Sequence, residues 1–268
     1  MTKTSYDSHI SPPCFPPLSK ARTQLYARLD SRKTRLREGL FIAQGEKCVG
    51  ECLKAFSPVA LFATPARMAS RPLPDGVGRE VIFEASPEQM RKISTLTNAP
   101  DIAAVFPLPL RPQGIPRLDA GGLYLLLDGI QDPGNLGSML RTADWFGVDS
   151  VFASPDTVDL FNPKALMAAM GSIARLGITY LPLPDLVAAN PELPLYGTLL
   201  DGDDIYSAPL SKAGMIVFGN EGSGLSEEMR RLVNKPLLIP PFAADSHAES
   251  LNVGAAAAIV MAEFRRKR

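Results

Sequence analysis

Residues 123–153 read LYLLLDGIQDPGNLGSMLRTADWFGVDSVFA, and this stretch decides the fold class. It opens with an unbroken apolar run at 123–127, which is followed by a polar turn at 132–135. Apolar residues then recur at helical spacing over 136–146, and a second strand-like run occupies 148–153. Continuous apolar strands are typical of a parallel sheet covered on both faces, so the stretch predicts a β-α-β unit.

The same alternation continues towards the C-terminus. It predicts further strands at 195–200, 215–218 and 237–239, and further helices at 226–233 and 252–264. We therefore expect an α/β domain with a parallel sheet over residues 123–268.

The N-terminal half has shorter patterns of the same kinds. Apolar residues on one helical face predict a helix within 45–56, and the segment 86–89 (Ser-Pro-Glu-Gln) has the spacing of a capped helix start. Short apolar runs at 59–63 and 81–83 predict strands. Residues 19–106 are thus expected to form a small α/β domain.

Proline-rich segments flank this smaller domain. Residues 1–18 are polar and rich in proline, which predicts a flexible leader. Residues 107–122 contain four prolines and three glycines, which predicts a linker between two domains.

The two halves carry opposite charge. Residues 1–120 contain 17 lysines and arginines against 11 acidic residues, whereas residues 121–268 contain 11 against 17. This asymmetry favours a polyanion as the partner of the first half, with the densest positive stretch at 20–37. The alternative interpretation of that stretch is an ordinary solvated helix face. Its candidate contact residues are Arg28, Arg32, Lys33 and Arg35.

Composition excludes several classes of protein. Of the 268 residues, 46% are hydrophobic and 21% charged, as in soluble globular chains, and no stretch is apolar enough to span a bilayer. The N-terminus lacks the apolar centre of a signal peptide. Cys14, Cys48 and Cys52 are too few for a disulfide framework and lack zinc-site spacing. We expect a cytoplasmic protein with no metal and no membrane contact.

The first of three polar loops at the ends of the predicted strands is 132–141. Ligands bind at the carboxyl ends of parallel strands, so Asn135 could point into a cleft there. Arg141 lies six residues further along the helix, and helical side chains lean towards the N-terminus, so it could reach the same cleft. The alternative is a capped turn followed by a surface arginine.

The second and third loops have the same character. Glu221 lies among three glycines at 219–224, where the alternative is a tight turn. Ser250 and Asn252 offer a hydroxyl and an amide at the start of the last helix, where capping alone explains one of them. His247 is interpreted as structural or exposed rather than as a general base.

Three segments carry a resemblance to a known family: LLLDGIQDPGNLGSMLRTADWFGVDSVF, VFGNEGSGLS and LLIPPFAADSHAESLNVGAAAAIVMAEFRRKR. They resemble the SpoU/TrmH family of RNA ribose 2′-O-methyltransferases, within the SPOUT class, and lie in the family's order. With their connecting segments they span nearly all of residues 123–268. The N-terminal half is similar to the family's small RNA-binding domain through LDSRKTRLREGLFIAQGEK, which makes the basic residues named above candidate RNA contacts.

The resemblance implies a deep trefoil knot in the C-terminal domain and a homodimer whose active site draws on both subunits. It also implies S-adenosylmethionine as cofactor, bent in the knot and held mainly by backbone groups. The positions that match the cofactor-binding loops are Thr198, Leu199, Gly219, Ile239, Ser250 and Leu251.

For the chemistry, the resemblance implies attack of a ribose 2′-oxygen on the sulfonium methyl. A guanidinium has a pKa above about 12 and is a poor base, so Arg141 is expected to hydrogen-bond the 2′-oxygen or a phosphate. Asn135 and Glu221 would orient Arg141 and the ribose, and Ser250 and Asn252 would shape the third loop. Ribosomal RNA is favoured over transfer RNA as the substrate.

One departure and several alternatives stay open. The family often has an arginine where this chain has Met167, which puts one RNA contact in doubt. A transfer-RNA enzyme, a base-methylating SPOUT relative and a non-catalytic RNA-binding protein are the alternatives. A nucleotide-binding oxidoreductase is disfavoured because the G-x-G-x-x-G spacing is missing.

Overall fold

A computed structural model of the chain describes residues 15–110, 114–243 and 250–266. The smaller, N-terminal domain is a mixed four-stranded sheet of order β1-β4-β2-β3 with short helices around it. Its strands are β1 (Leu40–Gln44), β2 (Ala60–Ala63), β3 (Ile82–Glu84) and β4 (Ile102–Pro107). Its helices are α1 (Lys20–Ala27), α2 (Arg32–Glu38), α3 (Glu46–Cys52), α4 (Pro65–Ser70) and α5 (Pro87–Ile93).

The helix signals in this domain correspond to real caps. Ser86 accepts a hydrogen bond from the backbone of Gln89, and the Gln89 side chain accepts one from the Ser86 backbone, which closes a capping box at the start of α5. In α3, Val49 and Cys52 of the predicted apolar face are buried, and the helix ends at Cys52 and not at the predicted residue 56. The expectation of a small α/β domain is therefore confirmed.

The predicted leader extends too far. Phe15 and Leu18 are buried, and the Leu18 amide donates to the Glu84 carbonyl at 2.7 Å, while the Glu84 amide donates back to Pro16 at 2.9 Å. Residues 15–18 thus lie along the edge of β3, because burial of the apolar side chains of Phe15 and Leu18 in the core stabilises this position. Residues 1–14 lie outside the described ranges.

The larger domain is a six-stranded sheet in which every neighbouring pair is parallel, as predicted, with order β10-β8-β9-β5-β6-β7. Its strands are β5 (Leu123–Asp128), β6 (Ser150–Ala153), β7 (Ile178–Tyr180), β8 (Leu195–Asp204), β9 (Gly214–Gly219) and β10 (Lys235–Leu238). Its helices are α6 (Pro133–Trp145), α7 (Pro163–Ala169), α8 (Leu183–Ala189), α9 (Glu227–Leu232) and α10 (Val253–Arg265). Every residue of the central strand β5 is buried, which explains its unbroken apolar run.

The two domains share one hydrophobic core. Phe41 of β1 packs on Phe106 within its own domain and on Phe161 of the larger domain, with ring centroids 5.3 and 4.7 Å apart. The same apolar cluster continues through α6 and the central strands of the parallel sheet. The domains are therefore joined by packing as well as by the chain between them.

The predicted linker is also held down. The Leu118 amide donates to the Asn190 side chain at 2.8 Å, and Asn190 donates back to the Pro116 carbonyl at 3.2 Å. Asn190 is fully buried at the end of α8. The second half of the linker thus follows the surface of the larger domain, and its first residue, Pro107, belongs to β4.

Two further expectations concern the whole chain. Among the described residues, no helix is both long and apolar enough to cross a membrane. The trefoil knot stays a prediction, since the path between β10 and α10 includes residues 244–249, His247 among them, which lie outside the described ranges.

Candidate active site

The polar loops that follow β5 and β9 meet at one edge of the parallel sheet. These strands are neighbours, and their last residues, Asp128 and Gly219, are paired in register. The loop after β5 leads into α6, and the loop after β9 leads into α9. The start of α10 lies against the same edge through Asn252. Three segments that are far apart in sequence thus form one surface, as expected at the carboxyl end of parallel strands.

Glu221 is the centre of this surface. One carboxylate oxygen accepts hydrogen bonds from the Asp132 amide at 3.1 Å and from the Asn135 side chain at 2.9 Å. The other accepts one from the Gln131 amide at 3.1 Å. Glu221 therefore orders the turn that leads into α6.

Asn135 extends the network to the third loop. Its side-chain oxygen accepts a hydrogen bond from the Asn252 amide group at 3.0 Å. The Asn252 oxygen in turn caps α10 by accepting from the backbone amides of Gly254 and Ala255, at 2.9 and 3.2 Å. The structure thus brings together three of the predicted catalytic residues in the hydrogen-bonded chain Glu221–Asn135–Asn252.

The charge state of Glu221 follows from these contacts. Burial raises the pKa of Glu221, but hydrogen bonds from Asn135 and from the amides of Gln131 and Asp132 outweigh it, so the pKa lies below its ordinary value. Because the pKa of Glu221 is lowered in the folded protein, the carboxylate contributes its full stabilisation of the fold at pH values above the ordinary glutamate pKa. That contribution is lost as the pH falls through the pKa of Glu221 in the folded protein. Glu221 is therefore an ionised acceptor at neutral pH and not a proton donor.

Sequence reasoning missed Asn220 and Asp128. The Asn220 side chain donates to the Gly129 carbonyl at 2.8 Å and accepts from the amides of Gly222 and Ser223, so it fixes the loop that presents Glu221. Asp128 accepts from the Ser226 amide at 2.7 Å. The Asn-Glu-Gly sequence signals a turn, but no spacing rule links it to a partner 91 residues away.

Arg141 stands apart from this network. Its side chain is exposed on α6, and no side-chain hydrogen bond or ion pair joins it to Glu221, Asn135, Asn252 or any other described residue. One helical turn further on, Trp145 is 84% exposed. Within a single chain the predicted arginine thus faces solvent beside an exposed aromatic ring.

The positions predicted to bind cofactor lie within β8, at the ends of β9 and β10, and just before α10. β8 and β10 change register between Pro236, which pairs with Gly197, and Leu237, which pairs with Asp203. The intervening residues 198–202 form a bulge that contains Thr198 and Leu199. Ile239 follows the end of β10 directly, and Ser250 and Leu251 are exposed just before the cap of α10.

The position of Gly219 has no room for a side chain. A Cβ there would collide with the backbone of Gly224 and Leu225, because the loop after β9 folds back on the end of its own strand. This close approach leaves backbone rather than side-chain groups at the strand end.

The predicted RNA-binding residues divide into two groups. Arg28, Arg32 and Lys33 are exposed, and none of them has an ion pair with another residue of the described ranges. Arg35 is 1% exposed and paired with Asp159 at 2.7 Å, so the prediction that it contacts RNA is wrong. The local sequence predicts an exposed charge at this position, because Asp159, the partner with which Arg35 is buried, lies 124 residues away. Met167 packs against the apolar core.

Comparisons with known proteins agree with this geometry. The SpoU rRNA Methylase family matches residues 122–262, and the MRM3-like substrate binding domain matches residues 21–104. The chain is 32% identical to the 23S rRNA (guanosine(2553)-2′-O)-methyltransferase RlmP of Bacillus subtilis, over 90% of this chain and 94% of that protein. It is 27% identical to the 23S rRNA (uridine(2479)-2′-O)-methyltransferase of Streptomyces viridochromogenes, over 91% and 89%.

Solved structures share the fold. A Porphyromonas gingivalis protein assigned to the TrmH family of RNA methyltransferases superposes with a TM-score of 0.80 at 38% identity, over 92% of this chain and 98% of that one. The SpoU methyltransferase AviRb from Streptomyces viridochromogenes, in complex with AdoMet, superposes with a TM-score of 0.77 at 24% identity, over 92% and 97%, and supports the fold alone. The family match over the parallel-sheet domain and the full-length relatives together show that this chain belongs to the SpoU rRNA methylase family.

Proposed function

We propose that this protein transfers a methyl group from S-adenosylmethionine to a ribose 2′-hydroxyl of ribosomal RNA. The observation that carries the proposal is the chain Glu221–Asn135–Asn252, which joins three loops at the ligand-binding edge of the sheet. The full-length relatives are named as 2′-O-methyltransferases of 23S rRNA, which favours ribosomal over transfer RNA.

The residues present fit this cofactor. The bulge at 198–202 and the bare backbone at Gly219 lie on adjacent strands, and Ile239 follows the end of β10, which pairs with β8. Backbone amides and carbonyls of this set can bind an adenosine without any charged side chain, and the apolar side chains can cover its ring. When bound, S-adenosylmethionine supplies an electrophilic methyl group on a positively charged sulfur.

The chain's own residues then position the nucleophile. Arg141 keeps its proton and donates hydrogen bonds to the 2′-oxygen or the neighbouring phosphate, which stabilises the negative charge that develops on that oxygen. Glu221 and Asn135 hold the turn that carries the start of α6. Asn252 and Ser250 shape the loop that leads into α10, so that the ribose is held in one orientation.

The isolation of Arg141 within one chain supports a homodimer. α6 and α10 run side by side, joined at their starts by Asn135 and Asn252 and at their ends by Arg265, which donates to the Phe146 carbonyl at 2.8 Å. Their outer surface combines exposed Trp145 with small apolar residues of α10. A second copy packing on this surface would cover Trp145 and place Arg141 near the partner's loops.

Trp145→Glu is expected to shift the protein from dimer to monomer, because it places a charge in an apolar contact. Sedimentation equilibrium over a concentration series measures the change. Leu110→Glu is the matched control, since Leu110 is 97% exposed on the linker and should leave the association unchanged. A monomeric parent protein would contradict the dimer.

A second expectation concerns the basic surface formed by Arg28, Arg32 and Lys33. Replacing all three with alanine should weaken RNA binding and reduce the slope of log affinity against log salt by about 2, since each phosphate contact contributes roughly 0.7 in single-stranded RNA. Filter binding at several salt concentrations measures this slope. The alanine variant of exposed Lys47, Arg71 and Arg91 removes the same charge elsewhere in the domain, and an equal loss there would contradict a local RNA contact.

The proposed function as a whole is tested by mapping ribose methylation in total RNA from cells with and without the gene. We expect one 2′-O-methyl mark in ribosomal RNA to disappear and to return when the gene is restored. Loss of a mark in transfer RNA, or of a base methyl group, would assign a different substrate.

A further inference from the structure

A buried ion pair crosses the boundary between the two domains. Arg35 of α2 contacts one carboxylate oxygen of Asp159 through Nε at 3.0 Å and through Nη2 at 2.7 Å, and the side chains are only 2% and 8% exposed. The remaining Nη1 donates to the carbonyls of Leu29 and Asp30, at 2.8 and 2.6 Å. Every nitrogen of this guanidinium is therefore used, and its orientation is fixed.

On the larger domain, Asp159 belongs to a segment that is tied to the active-site turn. The Val158 amide donates to the Ile130 carbonyl at 2.8 Å, and the Gln131 side chain donates to the Asp156 carbonyl at 2.9 Å. The backbone of Gln131 also donates to Glu221. A short series of hydrogen bonds thus leads from Glu221 to Asp159.

On the smaller domain, the segment that Arg35 contacts also contains the exposed cations of the basic surface. Arg28 directly precedes Leu29, whose carbonyl Arg35 binds, and Arg32 and Lys33 lie within one turn of Arg35 on α2. Arg35 thus connects Asp159 to the chain segment that presents all three exposed cations.

We propose that Arg35 is a positioning residue that sets the location of the basic surface relative to the active-site turn. This inference rests on the proposed function. RNA phosphates bound at Arg28, Arg32 and Lys33 would then place the target ribose at a fixed distance from Asn135 and Arg141. A buried ion pair contributes little stability compared with apolar residues of the same size, so its directional geometry is its main effect.

The test compares three variants in steady-state methylation of an unmodified 23S rRNA transcript. Arg35→Met/Asp159→Leu removes both charges, so neither charge is left buried without its partner. Its KM for RNA is expected to rise on the order of tenfold or more, while kcat and the affinity for S-adenosylmethionine stay within about twofold. Arg35→Lys keeps the positive charge but lacks the planar guanidinium that donates to Asp159 through two nitrogens, and it should give an intermediate KM.

Arg67→Met is the matched control. Arg67 is also buried and binds one carboxylate, of Glu46, and two backbone carbonyls, but all these contacts lie inside the smaller domain. It should lose thermal stability with an unchanged KM. An unchanged KM in Arg35→Met/Asp159→Leu, or an equal rise in Arg67→Met, would overturn the inference.

A spectroscopic distance separates this inference from the proposed function. Spin labels at Gln24→Cys and Glu192→Cys, in a Cys14→Ser background, report the domain arrangement, since Cys48 and Cys52 are buried. The distance distribution should broaden or shift in Arg35→Met/Asp159→Leu and stay narrow in Arg67→Met. A narrow, unshifted distribution in both would overturn the positioning role even if the transcript proved not to be a substrate.

Discussion

Arg141→Ala is expected to reduce methyl transfer by about 100-fold or more, with no change in folding or in affinity for S-adenosylmethionine. Arg141 is exposed and has no partner among the described residues of its own chain, so its removal breaks no contact that stabilises the fold. The loss should instead appear in the step where negative charge develops on the 2′-oxygen. Transfer of a radiolabelled methyl group to a ribosomal RNA transcript, at saturating cofactor, measures the effect.

Two further variants sharpen this expectation. Arg231→Ala removes another exposed arginine, whose ion pair is with Glu227 on α9, and it should leave turnover unchanged. Arg141→Lys keeps the charge and should recover only a small part of the activity if two parallel hydrogen bonds are needed. Turnover by Arg141→Ala at the rate of the parent protein would remove this residue from the mechanism.

Glu221→Gln is expected to reduce turnover by roughly 10- to 100-fold, because three donors converge on the carboxylate and an amide can accept them at only one oxygen. The amide nitrogen would face a backbone N–H or the Asn135 amide, so the turn into α6 must rearrange. Since Glu221 is exposed, the free energy of unfolding should fall by no more than about 1 kcal/mol.

The control for this variant is Glu228→Gln, an exposed carboxylate on α9 that makes no side-chain hydrogen bond to the Glu221 loop among the described residues. Turnover and chemical denaturation of both variants are measured side by side. Equal activity of Glu221→Gln and the parent protein would show that the ionised carboxylate is not needed to order the turn.

Local patterns were sufficient for much of the fold. The apolar run in β5 and the capping box at Ser86 depend on neighbours within a few residues, so their sequence signals are direct. The order of the strands is different. It depends on which apolar faces pack together: β4 is an apolar run, but nothing in that run indicates that it lies between β1 and β2 and pairs antiparallel with both.

The candidate site could be predicted as a set of residues but not as a network. Asn135, Glu221 and Asn252 stand out because they lie in polar loops that follow the predicted strands, yet the residues that they join lie 86 and 117 positions apart in the chain. Arg35 shows the opposite error. Its neighbours are exposed cations, and only the distant Asp159 makes it a buried residue.

The bulge in β8 shows why strand length was underestimated. The apolar pattern ends near Leu200, whereas the strand continues to Asp204 because β10 resumes pairing after the register change. Gly202 permits this register change, because a Cβ there would collide with the backbone of Leu237.

The most direct test of the account is calorimetric titration of the purified, folded protein with S-adenosylmethionine and with its demethylated product. We predict saturable binding of both at one site per chain, because in the proposed function the three loops at one edge of the parallel sheet bind a single cofactor molecule. A folded protein that binds neither compound would contradict the enzymatic assignment, and only an RNA-binding role would then remain.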